Sequence, residues 1–538
     1  MGYRAVGSPA KLLWSMALGS TLVGQRFENP RELLGDRLKG VYRLLAEHGG
    51  RVFGDDYFAD LYRRSRLGRP TIPARVLATV MVLQALEGLS DQEAVDHLEC
   101  DLRWQAAAGV DAGYEAFHST VLVGARNRLR GSGRPKRLLE DTKVVAREAG
   151  VIRDRVRVLD STPIYDAVAT QDTVTQLRSA VRKLLRVLDQ AADPLAGRVR
   201  AVLVRDDDYV TAGKPPCDWD DRPAREELVD ALVRDALAAL VVLDGEVLVG
   251  QVLEAAELLA VVAGQDVEAG DGGVFRIVRN VARDRTISMV DPQARHGHKS
   301  RNRRFDGYKA HLSVDPDSEL IDDVVVTPAN VHDADAVTDL LAGHVDDEVK
   351  PGVMGDSAYA SADTLDELDR AGFGDVKAKV PPARGRGGRF GKDDFTIDLA
   401  AGTVSCPNKM TVTIRFGTDR SGHADFAEHC STCPLRERCT TATAGRTISI
   451  HRKEAVLQRA RAAQACPDWQ HAYRSTRPKV ERKIAHFVRV KWGGRNARTR
   501  GTARITTDVI TRAAAVNWAR LATLGVTFTN GQWTPATA

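Results

Sequence analysis

The 538-residue sequence contains no uninterrupted apolar run of the roughly 18 residues that a membrane-spanning helix requires. It also has little net charge, because 77 Lys and Arg residues face 72 Asp and Glu residues, which leaves +5. A balance this even excludes bulk charge as an argument for nucleic-acid binding, so such an argument must come from local clusters. With 43% hydrophobic residues, the chain is long enough to form two to four domains.

Cysteine is scarce, and seven cysteines in a chain of this length do not make a secreted disulfide framework. Four of them lie within residues 406–439 and favour a metal site in a reducing compartment. Residues 12–24 partly imitate an export signal, but no small-residue cleavage pattern follows them. We therefore expect a cytoplasmic protein.

Helical patterning runs from Asn29 to about residue 150 and predicts a separate all-α N-terminal domain over residues 1–150. Asn29 followed by Pro30 predicts a helix start, and this helix should end at the glycines at 49 and 50. A second helix is predicted over residues 72–87.

The stretch after this second helix has two interpretations. Gly88-Leu89-Ser90 predicts a short turn, and Ser90 with Glu93 forms a capping box that opens another helix. This order fits a DNA-binding helix-turn-helix, and it fits an ordinary helical hairpin at least as well. A further helix from about Ser119 presents three arginines that either contact phosphates or form a solvated face, namely Arg126, Arg128 and Arg130.

A strand ending at Asp160 is predicted by the alternation of arginine and valine in RVRVLDST, residues 155–162. A mostly helical region follows at residues 171–264. Strands are then predicted at residues 307–315, 320–328, 352–361 and 376–381, and helices at residues 334–343 and 362–371. Residues 381–391 are rich in Gly and Arg and predict a flexible loop. The order predicts an α/β fold, with a mixed sheet flanked by helices and a helical insertion after the first strand.

Two of these strands each deliver an aspartate, Asp160 and Asp356, at the end of the strand where α/β sheets place their sites. Neighbouring carboxylates repel each other unless a divalent cation such as Mg²⁺ lies between them. Glu481 is a candidate third acid, because it is the one acid among eleven Lys and Arg residues between residues 472 and 504. Its helix is predicted to start at Pro478, with a buried stripe at Val480, Ile484, Phe487 and Val488. The alternative is an ordinary surface ion pair between Glu481 and Arg477.

The segments VLDST, GDSAY and RPKVER, in this order and spacing, resemble the DDE transposases of bacterial insertion sequences. GRPTIPARVLATVMVLQALEGLSDQEAV resembles their helical N-terminal domain. DSTPIYDAVATQDTVTQL, DPQARHGHKS, GYKAHLSVD and VTPANVHD resemble further blocks, so the likeness extends over about residues 29–521. It implies a ribonuclease H-like catalytic domain over residues 151–400, carrying the helical insertion at 171–264 and completed by C-terminal helices in 451–538.

In that family the first strand carries one Asp, the fourth carries the second, and a late helix carries Glu. These roles fall on Asp160, Asp356 and Glu481. The resemblance implies two Mg²⁺ or Mn²⁺ ions, about 3.5–4 Å apart, that support hydrolysis at the transposon end and then attack of the freed 3′ hydroxyl on target DNA. Around Glu481, Arg477 matches the family spacing, whereas Tyr473 is one residue early and Lys491 is three late.

Two basic segments, residues 295–309 and the C-terminal segment around Glu481, predict a salt-sensitive surface for the DNA backbone. The implied partners are the terminal inverted repeats of the transposon and target DNA, in the bacterial cytosol at the nucleoid and away from membranes. Pairing two ends requires at least a homodimer. The predicted DNA contacts are Lys299, Arg301, Arg303, Arg304, Lys309, Arg477, Arg482, Lys491, Arg495, Arg498 and Arg500.

The four clustered cysteines have the spacing C-x23-C-x2-C-x5-C, and they are Cys406, Cys430, Cys433 and Cys439. Four thiolates with one close pair predict a structural Zn²⁺ site in a cysteine-rich insertion over residues 401–450. Four free thiols are the alternative, and His423 and His429 are spare ligands. His311, within a predicted strand, is expected to be a packed core histidine.

Two other functions fit parts of the pattern. A DNA-binding regulator or inactive transposase relic would use the N-terminal helices and the zinc module without chemistry, and the presence of both aspartates argues against it. A ribonuclease H-like nuclease would cut DNA without joining it.

Overall fold

The computed structural model describes residues 12–15, 19–22, 29–62, 71–153, 155–166, 168–300, 302–489 and 494–536. The chain divides into two compact units. The helical unit comprises Met1–Arg153, Ala485–Gly494 and Ala503–Ala538, and the sheet unit comprises Asp154–Ile484 and Arg495–Thr502. The whole of the predicted export-like stretch, residues 12–24, lies outside the residues whose side chains are described.

The N-terminal part of the helical unit contains a short ribbon and a series of helices. Its elements are β1 (Leu12–Ser15), β2 (Gly19–Leu22), α1 (Pro30–Leu34), α2 (Gly40–Val52), α3 (Ala74–Glu87), α4 (Asp91–Cys100), α5 (Leu102–Ala108), α6 (Thr120–Gly131) and α7 (Arg137–Glu148). The predicted cap at Asn29 is confirmed, since its side chain accepts a hydrogen bond from the Arg31 N–H. The single helix predicted to residue 50 is wrong. It breaks at Gly35, whose φ of 47° ends α1, and α2 then runs past both glycines.

The predicted second helix and its capping box are confirmed. Ser90 Oγ accepts from the Glu93 N–H at 3.2 Å, and Glu93 Oε2 accepts from the Ser90 N–H at 2.7 Å. Helix α3 is buried along most of its length, so its surface is used for packing within the unit. Arg126 on α6 donates to Gln84 of α3 and to Asp91 of α4. This arginine therefore joins three helices within the unit, and the predicted phosphate contact is not supported there.

The sheet unit begins with a strand, a helical insertion and a mixed sheet. Its elements to residue 378 are β3 (Val156–Tyr165), α8 (Thr173–Gln190), α9 (Leu195–Val202), α10 (Arg222–Leu243), α11 (Gly250–Gln265), β4 (Val267–Ala269), β5 (Phe275–Ile277), β6 (Arg295–Ser300), β7 (Arg303–Asp315), β8 (Leu320–Pro328), α12 (Val337–Leu341), β9 (Gly352–Gly355), α13 (Ala362–Arg370) and β10 (Val376–Ala378). The main sheet has the order β10-β9-β3-β7-β6, with β8 also paired to β7. The β10–β9 and β9–β3 pairs are parallel, and the other pairs are antiparallel. The predicted mixed α/β sheet is confirmed.

The predicted end of the first strand at Asp160 is wrong, because β3 continues to Tyr165. Strand β7 provides a partner for this extension as far as the Tyr165–Gly307 pair, whereas β9 pairs with Val156–Val158 alone. Pro163 is tolerated on the edge beyond β9. Residues two apart on a strand point their N–H groups to the same edge, and the Tyr165 N–H points away from β7 and donates to Arg495 O. An N–H at position 163 would have pointed the same way, so the proline costs no hydrogen bond with β7.

Four insertion helices, α8 to α11, follow β3 and have their own apolar core, which includes Leu177, Leu184, Leu232 and Leu259. The helical insertion is thus confirmed. Strand β6 was not predicted, since RHGHKS lacks apolar alternation and is held by its pairing with β7. His311 is fully buried on β7, and burial lowers its pKa to about 4, which keeps it neutral as a core histidine.

The remaining elements form two small sheets, several helices and a terminal hairpin. They are β11 (Thr396–Asp398), β12 (Thr403–Ser405), β13 (Thr411–Thr413), β14 (Arg415–Phe416), β15 (Gly422–Asp425), α14 (Ala427–Cys430), α15 (Arg436–Cys439), β16 (Thr447–Ile450), α16 (Glu454–Ala465), α17 (Pro467–Phe487), α18 (Thr502–Thr523), β17 (Thr527–Thr529) and β18 (Gln532–Thr534). Helix α17 begins at Pro467 and not at the predicted Pro478. Pro478 lies inside the helix, where its missing N–H removes one backbone hydrogen bond. Val480, Ile484 and Phe487 are buried as predicted, and Val488 lies just beyond the helix, half-buried. No helix in the described ranges is long and apolar enough to cross a membrane.

Candidate active site

The candidate site lies where β9 ends beside β3. Val158 on β3 pairs with Met354 on β9 in the last pair of this parallel register, so Asp160 and Asp356 each lie two residues beyond that pair. The two carboxylates are close enough for the charge of Asp356 to raise the pKa of Asp160. Asp160 Oδ1 accepts a hydrogen bond from the Ser161 N–H at 2.8 Å. Asp356 caps a short turn, where its Oδ1 accepts from the Ala358 N–H at 2.8 Å. Both aspartates are half-buried and fixed by backbone donors.

Helix α17 brings the third predicted acid to the same place. The Arg477 guanidinium donates to Asp160 Oδ2 at 2.9 Å and to Leu159 O at 3.1 Å. The same nitrogen, Nη2, lies 3.9 Å from Glu481 Oε1. The Asp160 and Glu481 oxygens are therefore separated by at most the sum of these contacts, about 7 Å. Glu481 remains exposed, whereas Arg477 is buried.

The pKa values show that these charges act on one another. Burial raises the pKa of Asp160, and the charge of Asp356 raises it further, while Arg477 and the Ser161 N–H oppose the rise. Burial lowers the pKa of Arg477, but the attraction of Asp160, Asp356 and Glu481 outweighs this effect, so its pKa is raised. The three predicted acids thus share one guanidinium as their nearby positive charge.

A fourth carboxylate, Asp333, contacts β3 through Ser161 and was not assigned a role from the sequence, although it ends the VTPANVHD block. Its Oδ2 accepts from Ser161 Oγ at 2.6 Å, and its Oδ1 accepts from Lys309 Nζ at 2.7 Å. Lys309 also donates to Val331 O. The predicted DNA contact at Lys309 is therefore engaged inside the protein.

Tyr359 follows β9 and is buried, and its hydroxyl has no hydrogen-bond partner among the described residues. Burial raises its pKa, and the charges of Asp333, Asp160 and Asp356 raise it further. This tyrosine is the last residue of the GDSAY segment. The sequence signal was present, but no partner within that segment indicated that the hydroxyl would face the acids.

The remaining predicted DNA contacts differ in their surroundings. Arg482 pairs with Glu319, and Arg495 donates to Thr162 Oγ1 at 3.2 Å. Arg301 and Lys491 lie outside the described residues. The exposed members of the set are Lys299, Arg303, Arg304, Arg482, Arg498 and Arg500.

The four cysteines converge within the sheet unit. Together with His429 they line one cavity of about 20 Å³, and Cys430 and Cys439 are buried there. Burial raises the pKa of Cys439, and the other three thiols raise it further, which shows their proximity. His423, the other spare ligand, lies on β15 and does not line the cavity.

Neither cluster has the arrangement of a metal site as it stands. In the described ranges, no three His, Cys, Asp or Glu side chains are arranged as a group that could hold a metal ion. The donor types nevertheless fit the implied ions, since carboxylates suit Mg²⁺ and four thiolates suit Zn²⁺. At the acids, the Arg477 guanidinium contacts Asp160 directly and provides a positive charge beside the carboxylate that would bind an ion.

The candidate site has one acid on β3, one directly after the neighbouring strand β9 and one on a late helix, an arrangement compatible with a nuclease or transposase. Two family models match the chain, a Transposase domain (DUF772) over residues 41–128 and a Transposase DDE domain over residues 405–522. These matches support a DDE transposase of an insertion sequence. The DDE match includes Glu481 and the four cysteines but begins after both aspartates. No curated protein and no solved structure matches.

Proposed function

We propose that this transposase binds the ends of its transposon and performs metal-dependent strand cleavage followed by strand transfer. The observation that supports the proposal most directly is the register of β3 and β9, which brings Asp160 beside Asp356, together with the approach of α17 carrying Glu481. The ribonuclease H-like interpretation is supported by the strand order. The first and fourth strands of the predicted series, β3 and β9, are parallel neighbours, and the second, β7, is antiparallel on the other side of β3.

In this proposal, Asp160 and Asp356 would hold the divalent cations, and Glu481 would contribute a further carboxylate ligand. When bound, two Mg²⁺ ions supply an activated water or 3′ hydroxyl, charge stabilisation in the transition state and a neutralised leaving oxygen. The protein's own contribution is rigidity, because β3 and β9 fix both aspartates on one sheet. The Arg477–Asp160 contact holds helix α17 against β3. The Glu481 side chain on that helix is exposed, so it is free to change its orientation when substrate binds.

The DNA backbone would lie over the exposed basic residues of the sheet unit. Lys299, Arg303 and Arg304 flank the turn between β6 and β7, and Arg500 lies in the segment after α17. Such contacts displace condensed counterions, so binding should weaken steeply with salt. Joining two ends requires two copies of the chain, and we propose a homodimer as the active form.

The test uses a plasmid that carries the encoding gene with its natural flanks, incubated with the full chain and Mg²⁺. We expect cleavage at the transposon ends and joined products from a pre-cut 3′ end. Asp160→Asn, Asp356→Asn and Glu481→Gln should each abolish both products while retaining end binding. Asp468→Asn, which changes an exposed acid on the same helix α17, is the matched control and should leave both unchanged.

Each outcome separates the proposal from its alternatives. Cleavage without joined products would indicate a nuclease that cuts only. End binding by the wild-type chain without any Mg²⁺-dependent cleavage would indicate a regulator or relic. Wild-type activity in Glu481→Gln, an exposed and conservative change, would remove Glu481 from the catalytic set.

A further inference from the structure

We propose that the helical insertion contains a second DNA-backbone site, a basic groove formed by α8 and the segment that follows α17. The groove has a volume of about 810 Å³, and the cations that line it include Arg182, Lys183 and Arg186 on α8 and Arg500 in the segment after α17. This inference rests on the proposed function, since it takes DNA as the substrate. It gives the insertion a role in holding substrate at a distance from the acids.

The helix α8 places its basic residues at the edge of the insertion core. Leu184 and Leu188 belong to that core, whereas Arg182 and Arg186 are four residues apart and share a face toward the groove. One helical turn separates them, about 6 Å along the axis, a spacing suited to adjacent phosphates of one strand. Arg186 is exposed, and Arg182 and Lys183 are half-buried.

The groove has an excess of positive charge. Its two acids are already engaged, since Asp189 pairs with Arg200 and Asp208 accepts from Thr211 and contacts Arg178. Within the described ranges, none of the four groove cations named above forms a salt bridge, and Arg182 donates to the Thr211 carbonyl. Burial lowers the pKa of Lys183, and the neighbouring charge of Arg186 lowers it further, whereas Glu254 on α11 raises it. A cluster of like charges in a concave site attracts anions.

A larger groove in the same insertion provides an internal comparison. It has a volume of about 1230 Å³ and many cationic side chains, but most of them are neutralised by carboxylates. The pairs are Lys214–Asp172, Arg222–Glu226, Arg276–Glu268 and Arg285–Asp266. Basic composition alone therefore does not distinguish the two grooves, whereas the share of cations without a carboxylate partner does.

The segment bearing Arg500 also connects the groove to the candidate active site. The Tyr165 N–H donates to Arg495 O at 2.7 Å, and the Ala497 N–H donates to Tyr165 O at 2.8 Å, so residues 495–497 lie along the free edge of β3. Arg495 contacts Thr162, two residues beyond Asp160. A DNA strand leaving the acids along this segment would reach Arg500 and then α8. This continuity favours a nucleic-acid backbone over an isolated small anion.

The test compares DNA binding by the full chain and by Lys183→Gln/Arg186→Gln over a range of salt concentrations. The probe is a labelled duplex from the natural flank of the encoding gene, measured by fluorescence anisotropy. Loss of two phosphate contacts should weaken binding roughly tenfold and reduce the slope of log K against log salt by about 2. Arg186→Gln alone changes only an exposed side chain and should reduce the slope by about 1, which guards against a folding defect in the double variant.

Arg222→Gln is the matched control, because Arg222 is an exposed arginine of the same insertion that is paired with Glu226. Unchanged slopes in both groove variants, with normal binding by the wild-type chain, would overturn the groove while leaving the transposase proposal intact. Failure of the wild-type chain to bind the duplex would instead count against the proposed function. An equal loss in Arg222→Gln would also overturn the groove, because it would show a general charge effect.

Discussion

Replacing Arg477 with methionine tests how far the candidate site depends on a single cation. The Arg477 side chain is 10% exposed and that of Asp160 is 16% exposed, so solvent screens their contact weakly. Methionine approximates the length of the arginine stem but removes the charge and the donors to Asp160 Oδ2 and Leu159 O. The change therefore leaves a carboxylate and a carbonyl without their partner.

Removal of one member of a buried ion pair costs about 3–5 kcal/mol. We expect the lower end, about 3 kcal/mol at pH 8, because Asp160 keeps its hydrogen bond from the Ser161 N–H. The pKa of Asp160 is already raised by burial and should rise further without Arg477. For an acid whose folded pKa lies above its unfolded value, the penalty is present at high pH and disappears as pH falls below the unfolded value. The variant should therefore be less destabilised at pH 5 than at pH 8.

The assay is urea unfolding of the full chain at both pH values, for Arg477→Met, Asp160→Asn and the double variant. Asp160→Asn alone leaves the guanidinium without its carboxylate, and the double variant removes both charges. The double variant should thus be more stable than the sum of the single losses implies, by about 2 kcal/mol. Additive losses, or equal destabilisation at pH 5 and pH 8, would refute the idea that this pair is a coupled charge contact. Arg477→Lys keeps the charge and serves as the control.

Three further expectations concern other buried groups. Burial raises the pKa of Asp141 to about 7, so wild-type thermal stability should fall as pH rises from 4 to 8. Asp141→Asn should flatten this dependence and raise stability at pH 8 by up to about 4 kcal/mol, as measured by calorimetry. Burial lowers the pKa of His344, but the carboxylates of Asp322 and Asp347 outweigh it and raise the net value. This stabilisation should be complete below pH about 6.5 and lost as pH rises through the folded pKa, and His344→Gln should remove that dependence in thermal melts. Finally, the purified wild-type chain should contain one zinc per chain by elemental analysis, Cys433→Ser should lose it, and the exposed Cys466→Ser should not.

Local patterns in the sequence were sufficient for elements whose signals lie within a few residues. The strand β8 was predicted with its observed limits, and the Ser90–Glu93 capping box and the helical character of the insertion were also predicted. The end of β3 was wrong because strand length depends on the partner β7, which lies far along the chain. For the same reason β6, a polar strand held by pairing alone, was missed.

The site shows the same division between local and distant information. The three acids were identified as candidates because of their positions in motifs, but the role of Arg477 was not. The sequence predicted Arg477 as a phosphate contact or as an i, i+4 partner of Glu481. In the structure, Arg477 lies closer to Asp160, more than 300 residues earlier, than to Glu481. A buried arginine and an exposed one have the same sequence signature on a basic helix. Burial decides between these roles, and it is set by tertiary packing.

The early end of β9 and the extension of β3 together explain how one strand organises the site. Because β9 pairs with only three residues of β3, Asp160 lies just beyond the paired part of β3, near the end of β9, which Asp356 directly follows. The uncovered edge of β3 then accepts residues 495–497 through backbone hydrogen bonds. A one-residue slip of β3 against β7 would turn Asp160 to the opposite face, toward the Asp333 side, and would separate it from Arg477. The register of β3 therefore fixes the acids, their counter-charge and the basic segment at the same time.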